Sequence, residues 1–332
     1  MKRLTVKEIA NMAGVSVTAV SFVLNDKPGV SEVTREKVKR IINETGFRPN
    51  LSSKKLVEGK SYNICLMIHE GSSPFDDLFY YEIMRGLLEQ SRKRGYNIII
   101  SRASRRNNDL PDVVYSGDVD GIVYLQNVSE DLFKKTTETG LPFVVIDSHS
   151  GDERTTSITP DYKSAVFTAA GYLCEKGHSG IAMLSTDTVP DFYTATTDGF
   201  EMASKRYGFT ASAIRVVRSE AEAYEAVKVL YESKKLPSAL LCTVDAFAIG
   251  AMRAAKDMGL SVPDDISVIG IDDMLLSRYV EPPLTTVGID KVGIGELAME
   301  MLLKKINGDT VESVLLPMEL IERESVRQYN GE

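Results

Sequence analysis

Apolar residues in the first fifty positions fall at helical spacing, whereas further along they gather into short unbroken runs. From Thr5 to Asn25, TVKEIANMAGVSVTAVSFVLN, the pattern predicts two short helices joined by a tight turn. Ala10 is small where the helices approach, and Gly14 falls where the turn needs φ > 0. Val20 and Val23, beyond Val15, lie on the inner face of the second helix. Thr5-Val6-Lys7-Glu8 has the form of a capping box, and Ser16 can cap the second helix. Ser31 can cap a third, which runs to about Thr45 and stops at Gly46, with Val38, Ile41 and Ile42 as its apolar face. The arrangement is an all-α head with the spacing of a helix-turn-helix.

From Tyr62 onward short apolar strands alternate with amphipathic helices. The predicted strands are 63–68, 97–101, 121–125 and 143–147, then 180–185, 213–217, 239–243 and 267–272. Fully apolar strands between helices indicate parallel sheets covered on both faces. Two sets predict an α/β body of two Rossmann-like parallel-sheet subdomains, with a ligand cleft at the C-terminal ends of the strands. The stretch 102–118, with Arg102, Arg105, Arg106 and Pro111, reads as an irregular solvated loop or else a local interaction surface.

Charge separates the two parts. The 332 residues carry a net charge of −8, but residues 1–60 hold 12 Lys/Arg against 6 Asp/Glu, a net of +6, and the remainder nets −14. A basic head on an acidic body concentrates phosphate-binding charge in one place. Cys65, Cys174 and Cys242 lie far apart in apolar segments and read as buried free thiols. His69, His149 and His178 form no cluster, so no metal or cofactor is expected. The N-terminus is polar and helical in pattern, and no run reaches the ~20 apolar residues of a membrane span, so a cytoplasmic protein without membrane attachment is expected.

In such a head the side chains facing base edges are Val17, Thr18 and Phe22. Thr5, Ser16, Ser21, Asn25, Ser31 and Thr34 are small polar groups near helix starts, suited to the DNA backbone, and the same groups can serve as caps. The run Arg48 to Gly59, RPNLSSKKLVEG, begins a further short helix at Pro49 and Asn50, where Asn50 is also a backbone contact. So short a helix is marginal alone. It carries Lys54 and Lys55 beside Leu56, a composition suited to wedging a base step open from the minor groove.

AGVSVTAVSFVLN followed by RPNLSSKKLVEGKS resembles the lactose-repressor/galactose-repressor (LacI/GalR) family of bacterial transcription regulators. VDGIVYL at 119–125, KGHSGIAML at 176–184, DAFAIGAMRAAKDMGLSVPDDISVIGIDD at 245–273 and PLTTV at 283–287 continue the likeness along the chain. The resemblance implies a head at 1–49, a hinge helix and linker at 50–60 and a body at 61–332 similar to periplasmic sugar-binding proteins. The first subdomain would hold about 61–160 plus 289–320, and the second about 161–288 plus 321–332. It implies that Leu56 enters the central operator step beside its copy from a second protomer. It also implies effector contacts at Asp147, Thr196, Val244 and Asp272, although Asp147 and Asp272 could equally cap the turns that follow them.

Departures from the family pattern limit the reading. Ala19 stands where Thr is usual, and Phe22 stands where Arg or His is common. Phe22 could touch a thymine methyl or simply pack; it cannot bond guanine as Arg does. Thr196 replaces an Arg and Val244 an Asn of sugar-binding members, which leaves fewer polar donors for a hydroxylated ligand. The expected function is a repressor that binds a near-palindromic double-stranded operator as a homodimer. A small-molecule effector, a carbohydrate or related metabolite, or alternatively a protein co-regulator, would modulate it. Helix 292–305, with Leu297, Met301 and Leu302, could present a dimer face or belong to the core. A transport solute-binding protein fits the body but not the basic head. An enzyme lacks a nucleophile–base pair, since adjacent Asp272 and Asp273 should diverge at a strand end.

Overall fold

The computed structural model describes residues 4–24, 26–47, 59–68, 75, 78–103, 109–126, 128–147, 155–215 and 219–330. Two compact units divide the chain, Met1–Tyr62 and Asn63–Glu332. Asn25 and residues 48–58, which include Asn50, Lys54, Lys55 and Leu56, lie outside the described residues.

The head contains α1 (Val6–Ala13), α2 (Val17–Leu24) and α3 (Glu32–Thr45). Local chemistry sets each boundary. Thr5 N donates to Glu8 Oε2 at 2.7 Å and Glu8 N to Thr5 Oγ1 at 3.3 Å, which closes the capping box. Gly14 (φ 63°) ends α1 in the left-handed region, and Val15 N returns to Ala10 O at 3.0 Å. Ser16 Oγ accepts from Ala19 N at 3.1 Å, and Ser31 Oγ accepts from Thr34 N at 3.3 Å. Ile9, Ala10, Ala13, Val20, Val23 and Val38 form the core, with Ile41 and Ile42 against it. Phe47 completes that core from beyond α3, a contribution the helical pattern did not announce.

The first half of the body runs β1 (Asn63–Ile68), α4 (Leu78–Arg94), β2 (Asn97–Arg102), α5 (Asp112–Tyr115), β3 (Gly121–Leu125), α6 (Glu130–Thr139), β4 (Phe143–Ile146) and β5 (Ser157–Pro160). The second half runs α7 (Tyr162–Glu175), β6 (Gly180–Ser185), α8 (Pro190–Tyr207), β7 (Thr210–Arg215), α9 (Glu220–Glu232), β8 (Ala239–Cys242), α10 (Asp245–Asp257) and β9 (Ser267–Asp272). A 3₁₀ turn (Leu275–Arg278), β10 (Thr285–Gly288), α11 (Lys291–Ile306), β11 (Val314–Leu316) and β12 (Glu319–Ile321) follow. One six-stranded sheet has the order β11-β5-β4-β3-β1-β2, and the other β12-β10-β9-β8-β6-β7. The orders match position for position, so the two sheets repeat one design. The chain passes between them after Pro160, after Gly288 and after Leu316.

All pairings are parallel except β10 with β12, which runs antiparallel at the edge of the second sheet. That strand arrives directly from β11 through Pro317 and Met318 with no helix to turn it around. Strand β7 begins at Thr210 rather than 213, because Gly208 (φ 74°) ends α8 and Thr210 N already donates to Ser179 O at 2.9 Å. Of the stretch at 102–118, residues 104–108 with Arg105 and Arg106 lie outside the described residues, and part of the rest is buried. Leu110, just ahead of α5, and Val114 within it are buried in the core of the first subdomain, and Tyr115 donates to Asp109 at 2.6 Å. Cys65 and Cys242 are buried free thiols as expected, while Cys174 is half-buried.

Helix pairs on matching faces approach unusually closely. A Cβ on Gly86 of α4 would lie 2.0 Å from Val292 O of α11, and one on Gly199 of α8 would lie 2.3 Å from Lys163 O of α7. α11 buries Met301 and Leu302 against this packing, so those two belong to the core and not to a dimer face. Leu297 is only half-buried.

Candidate nucleic-acid interface and effector cleft

α2 presents Val17 and Thr18 to solvent in its first turn, with Val17 48% exposed although apolar. An apolar side chain held out at the start of a recognition helix suits a thymine methyl. Thr5, Ser16 and Ser31 are exposed while they cap, and Ser21 and Thr34 are half-buried. Phe22 is half-buried, and its ring lies over Gly29 in the loop after α2. The packing alternative for Phe22 therefore has a physical partner. Gly29 has φ 117°, and a Cβ there would meet the Phe22 ring at 2.9 Å. Gly29→Ala should cost the head about 1–3 kcal/mol, because strain and clash add. Faster amide exchange at Val20 and Val23 in the full chain would register it.

In the body, strand ends carry the cleft chemistry. Asp147 follows β4, and Asp272 ends β9, the strand at the matching place in the other sheet. Both sit at positive φ, 57° and 117°, and Asp273 follows at 49°. Non-glycine residues held there are strained and persist only where surrounding contacts over-determine them. The Tyr80 hydroxyl, from the first turn of α4, donates to Asp147 Oδ2. The Tyr162 hydroxyl, from the first residue of α7, donates to Asp272 Oδ1 at 3.5 Å. The Tyr162 ring meets Phe192 edge-on at 4.8 Å.

Lys291, the first residue of α11, is buried, and its ammonium donates to Asp272 O at 2.5 Å, Asp273 O at 2.9 Å and Ile289 O at 3.4 Å. All three of its donors are thereby used. The carboxylate of Asp273 accepts from Arg278 at 2.8 Å and from Arg323 at 2.5 Å. Burial alone would raise this acid, but the two guanidiniums outweigh it and hold the carboxyl below its usual range. Asp245, fully buried at the start of α10, accepts from Met274 N at 2.8 Å, Ser277 Oγ at 2.5 Å and Thr286 Oγ1 at 2.7 Å. Burial pushes it up to about 6 in spite of those donors.

Thr196 and Val244 are also buried. The Thr196 hydroxyl donates back to Phe192 O and Tyr193 O, both at 3.0 Å, so it is turned onto its own helix. Val244 precedes α10 without a side-chain cap bond. The structure thus draws Asp272 toward donors from two crossings and leaves Thr196 occupied locally. An open cavity of about 670 Å³ lies beside the second and third crossings, lined by Glu82, Arg85, Asp273, Arg278, Leu316 and Glu319 among others.

Tyr80, Phe192, Tyr162 and Lys291 carry no local motif of their own in the sequence. An internal repeat carries the signal for them. FYYEIMRGL at 79–87 matches FYTATTDGF at 192–200, and Asp161-Tyr162 matches Asp290-Lys291 at the two helix starts. Among the described residues no three His, Cys, Asp or Glu side chains gather to hold a metal ion. No helix there is long and apolar enough to cross a membrane.

Comparison with known proteins adds identity to this geometry. The profile of bacterial regulatory proteins, lacI family, matches residues 5–50, and that of the periplasmic binding protein-like domain matches 170–326. Catabolite control protein A of Priestia megaterium is 32% identical over 97% of this chain and 99% of its own. The lac repressor dimer bound to operator and an anti-inducer superposes with a TM-score of 0.81 at 25% identity, covering 98% of this chain and 100% of that one. The transcriptional regulator CelR bound to cellobiose has a TM-score of 0.72 at 26% identity, covering 97% and 100%.

Proposed function

The chain belongs to the lacI family of bacterial regulatory proteins, and from that premise we propose that it represses transcription as a homodimer on a near-palindromic operator in the cytoplasm. The observation that carries this reading is the basic head, with Val17 and Thr18 exposed on α2 between capped helices. Residues 1–49 would read each half-site, 50–60 would form the hinge and 61–332 the effector and dimer body. Val17 and Thr18 would meet base edges, while Phe22 shares its surface between Gly29 and the groove. Thr5, Ser16, Ser21, Asn25, Ser31, Thr34 and Asn50 would hold the backbone, and Lys54, Lys55 and Leu56 the minor groove.

Two exposed apolar groups on one side of the body support the homodimer. Tyr81 and Leu88 stand one above the other on α4, and Leu275, Leu276 and Tyr279 project from the 3₁₀ turn nearby. Arg85 of α4 and Arg278 of that turn line the same cavity, which puts the two groups side by side. A second copy would cover them.

For the effector we propose a small hydroxylated metabolite in the cleft, with Asp147 and Asp272 as paired acceptors near Thr196 and Val244. The cellobiose held by CelR supports that class. A protein co-regulator is the second reading, favoured by the Thr196 hydroxyl being occupied by its own helix and by the apolar Val244.

Operator selection from random duplexes, followed by anisotropy titration, tests the DNA reading. Affinity for the selected site should fall about 10³-fold between about 50 and 200 mM salt through counterion release. A flat salt profile with no selected sequence would refute it. Leu56→Ala should weaken specific binding by about tenfold or more, since the wedge that bends the operator is lost. Unchanged affinity would remove Leu56 from the minor groove. A thermal-shift screen with sugars, sugar phosphates, nucleosides and small acids tests the effector, because a ligand of the folded state must raise Tm.

A further inference from the structure

Each of the three crossings between the subdomains sends one side chain to the same two residues. Tyr162, just past the first crossing, reaches the Asp272 carboxylate. Lys291, just past the second, holds the carbonyls of Asp272 and Asp273. Arg323, two residues beyond β12 and the third crossing, holds the Asp273 carboxylate and the Leu284 carbonyl, both through its guanidinium. A fourth contact runs outward. Arg278 joins Asp273 to the 3₁₀ turn that displays Leu275 and Leu276.

We propose that the Asp272–Asp273 dipeptide is a hinge lock, which fixes the arrangement of the two subdomains from within the chain and ties it to the exposed 3₁₀ turn. Two successive non-glycine residues at positive φ are costly, so the dipeptide keeps this shape only while its partners hold it. α11 packs on α4, β3 and β4 in the first subdomain, whereas the carbonyls Lys291 holds belong to the second. α7 packs on α8 and β8–β10 in the second, so Tyr162 braces Asp272 from within that subdomain while Lys291 makes the bonds that span the joint. The crossings are also bonded to one another. Asp161 N donates to Leu316 O at 2.9 Å, and Gly288 pairs with Glu319. Rotation at the joint therefore strains the charge-assisted Lys291 bonds and the backbone bonds between crossings together.

The consequence for the cleft rests on the regulator reading above. A ligand that takes the Asp272 Oδ1 site held by the Tyr162 hydroxyl at 3.5 Å would loosen a lock that is already closed. The chain itself, without effector, would sit in one arrangement and have one operator affinity.

Amide exchange of the full chain tests the lock, comparing the parent with Lys291→Met, which keeps the apolar stem, and Tyr162→Phe, which keeps the ring on Phe192. Either variant should speed exchange at least about fivefold at residues 161–163, 288–292 and 318–323 together, with strand amides of β1 and β6 unchanged. Acceleration confined to the substituted crossing, or none, overturns the proposal. If Lys291→Met fails to fold, Tyr162→Phe and Arg323→Lys decide it by the same criterion. Effector-free operator affinity should shift about tenfold in the same variants. A chain that binds no operator but shows the joint response keeps the lock and loses the regulator reading. A chain that binds operator but responds only locally keeps the regulator reading and loses the lock.

Discussion

Asp245→Ala is expected to destabilise the second subdomain by about 3–5 kcal/mol near pH 5, because three buried donors lose their acceptor at once. Met274 N–H, Ser277 O–H and Thr286 O–H all point at this carboxyl, and a Cβ on Gly270 would lie 2.1 Å from Asp245 Oδ1, so the space is made for it. The effect should shrink at higher pH. Burial raises the folded carboxyl from 3.8 to about 6, so between those values the folded chain keeps a proton that the unfolded chain releases. Stability from this group is therefore complete below the unfolded value and is lost as pH rises through about 6. The loss amounts to about 3 kcal/mol across the window. Urea unfolding of parent and variant near pH 5 and pH 8 measures the difference. A variant that loses as much at pH 8 as at pH 5 would show that Asp245 ionises as it does in water. The same anchor holds Met274 and Ser277, so the variant should also loosen the turn that carries Leu275 and Leu276.

The second large effect is steric. Gly86→Ala should cost about 3 kcal/mol or more, because the new methyl meets a backbone carbonyl, Val292 O, at 2.0 Å and a helix must move. Gly199→Ala meets Lys163 O at 2.3 Å in the matching helix pair and should cost a similar amount in the other subdomain. For a domain of this size each kcal/mol lowers Tm by about 2–4 °C, so a melting scan resolves both. Gly180→Ala is the contrast. Nothing lies within 4 Å of its added Cβ, and its effect should stay within about 0.5 kcal/mol. A Gly86→Ala protein that melts with its parent would mean that α4 and α11 stand further apart than described.

Local rules made the head readable. Thr5 with Glu8, Gly14, Ser31 and Gly46 each act within a few positions, and each does in the structure what its residue type implies. Apolar runs such as NICLMI and GIAMLS were readable as strands for a similar reason, since burial on both faces leaves no polar alternation. β5, β10, β11 and β12 were not, because three or four mixed residues acquire strand geometry only from partners such as Ile158 opposite Val314. The cleft divided in the same way. Asp147 and Asp272 could be put at the ends of recognisable strands, and the family resemblance marked them as candidate contacts. Their donors could not, for Tyr80 lies 67 positions from Asp147 and Tyr162 lies 110 from Asp272. Met301 and Leu302 show the converse limit, since helical spacing marks an apolar stripe and leaves dimer face and core open until burial assigns both to the core.

The three crossings also govern how the body can be made. Neither subdomain is continuous in the chain, so neither can finish folding as it leaves the ribosome in order. β5, at Ser157–Pro160, has only β4 beside it until Val314–Leu316 emerges to pair with it. The first sheet is left with an open edge while the whole second α/β unit is synthesised, at about 5–20 residues per second. During those seconds Ile158 and the backbone of β5 stay exposed to any other strand within reach. The same crossings that join the finished subdomains thus set a waiting period in synthesis, when this edge is open to mispairing.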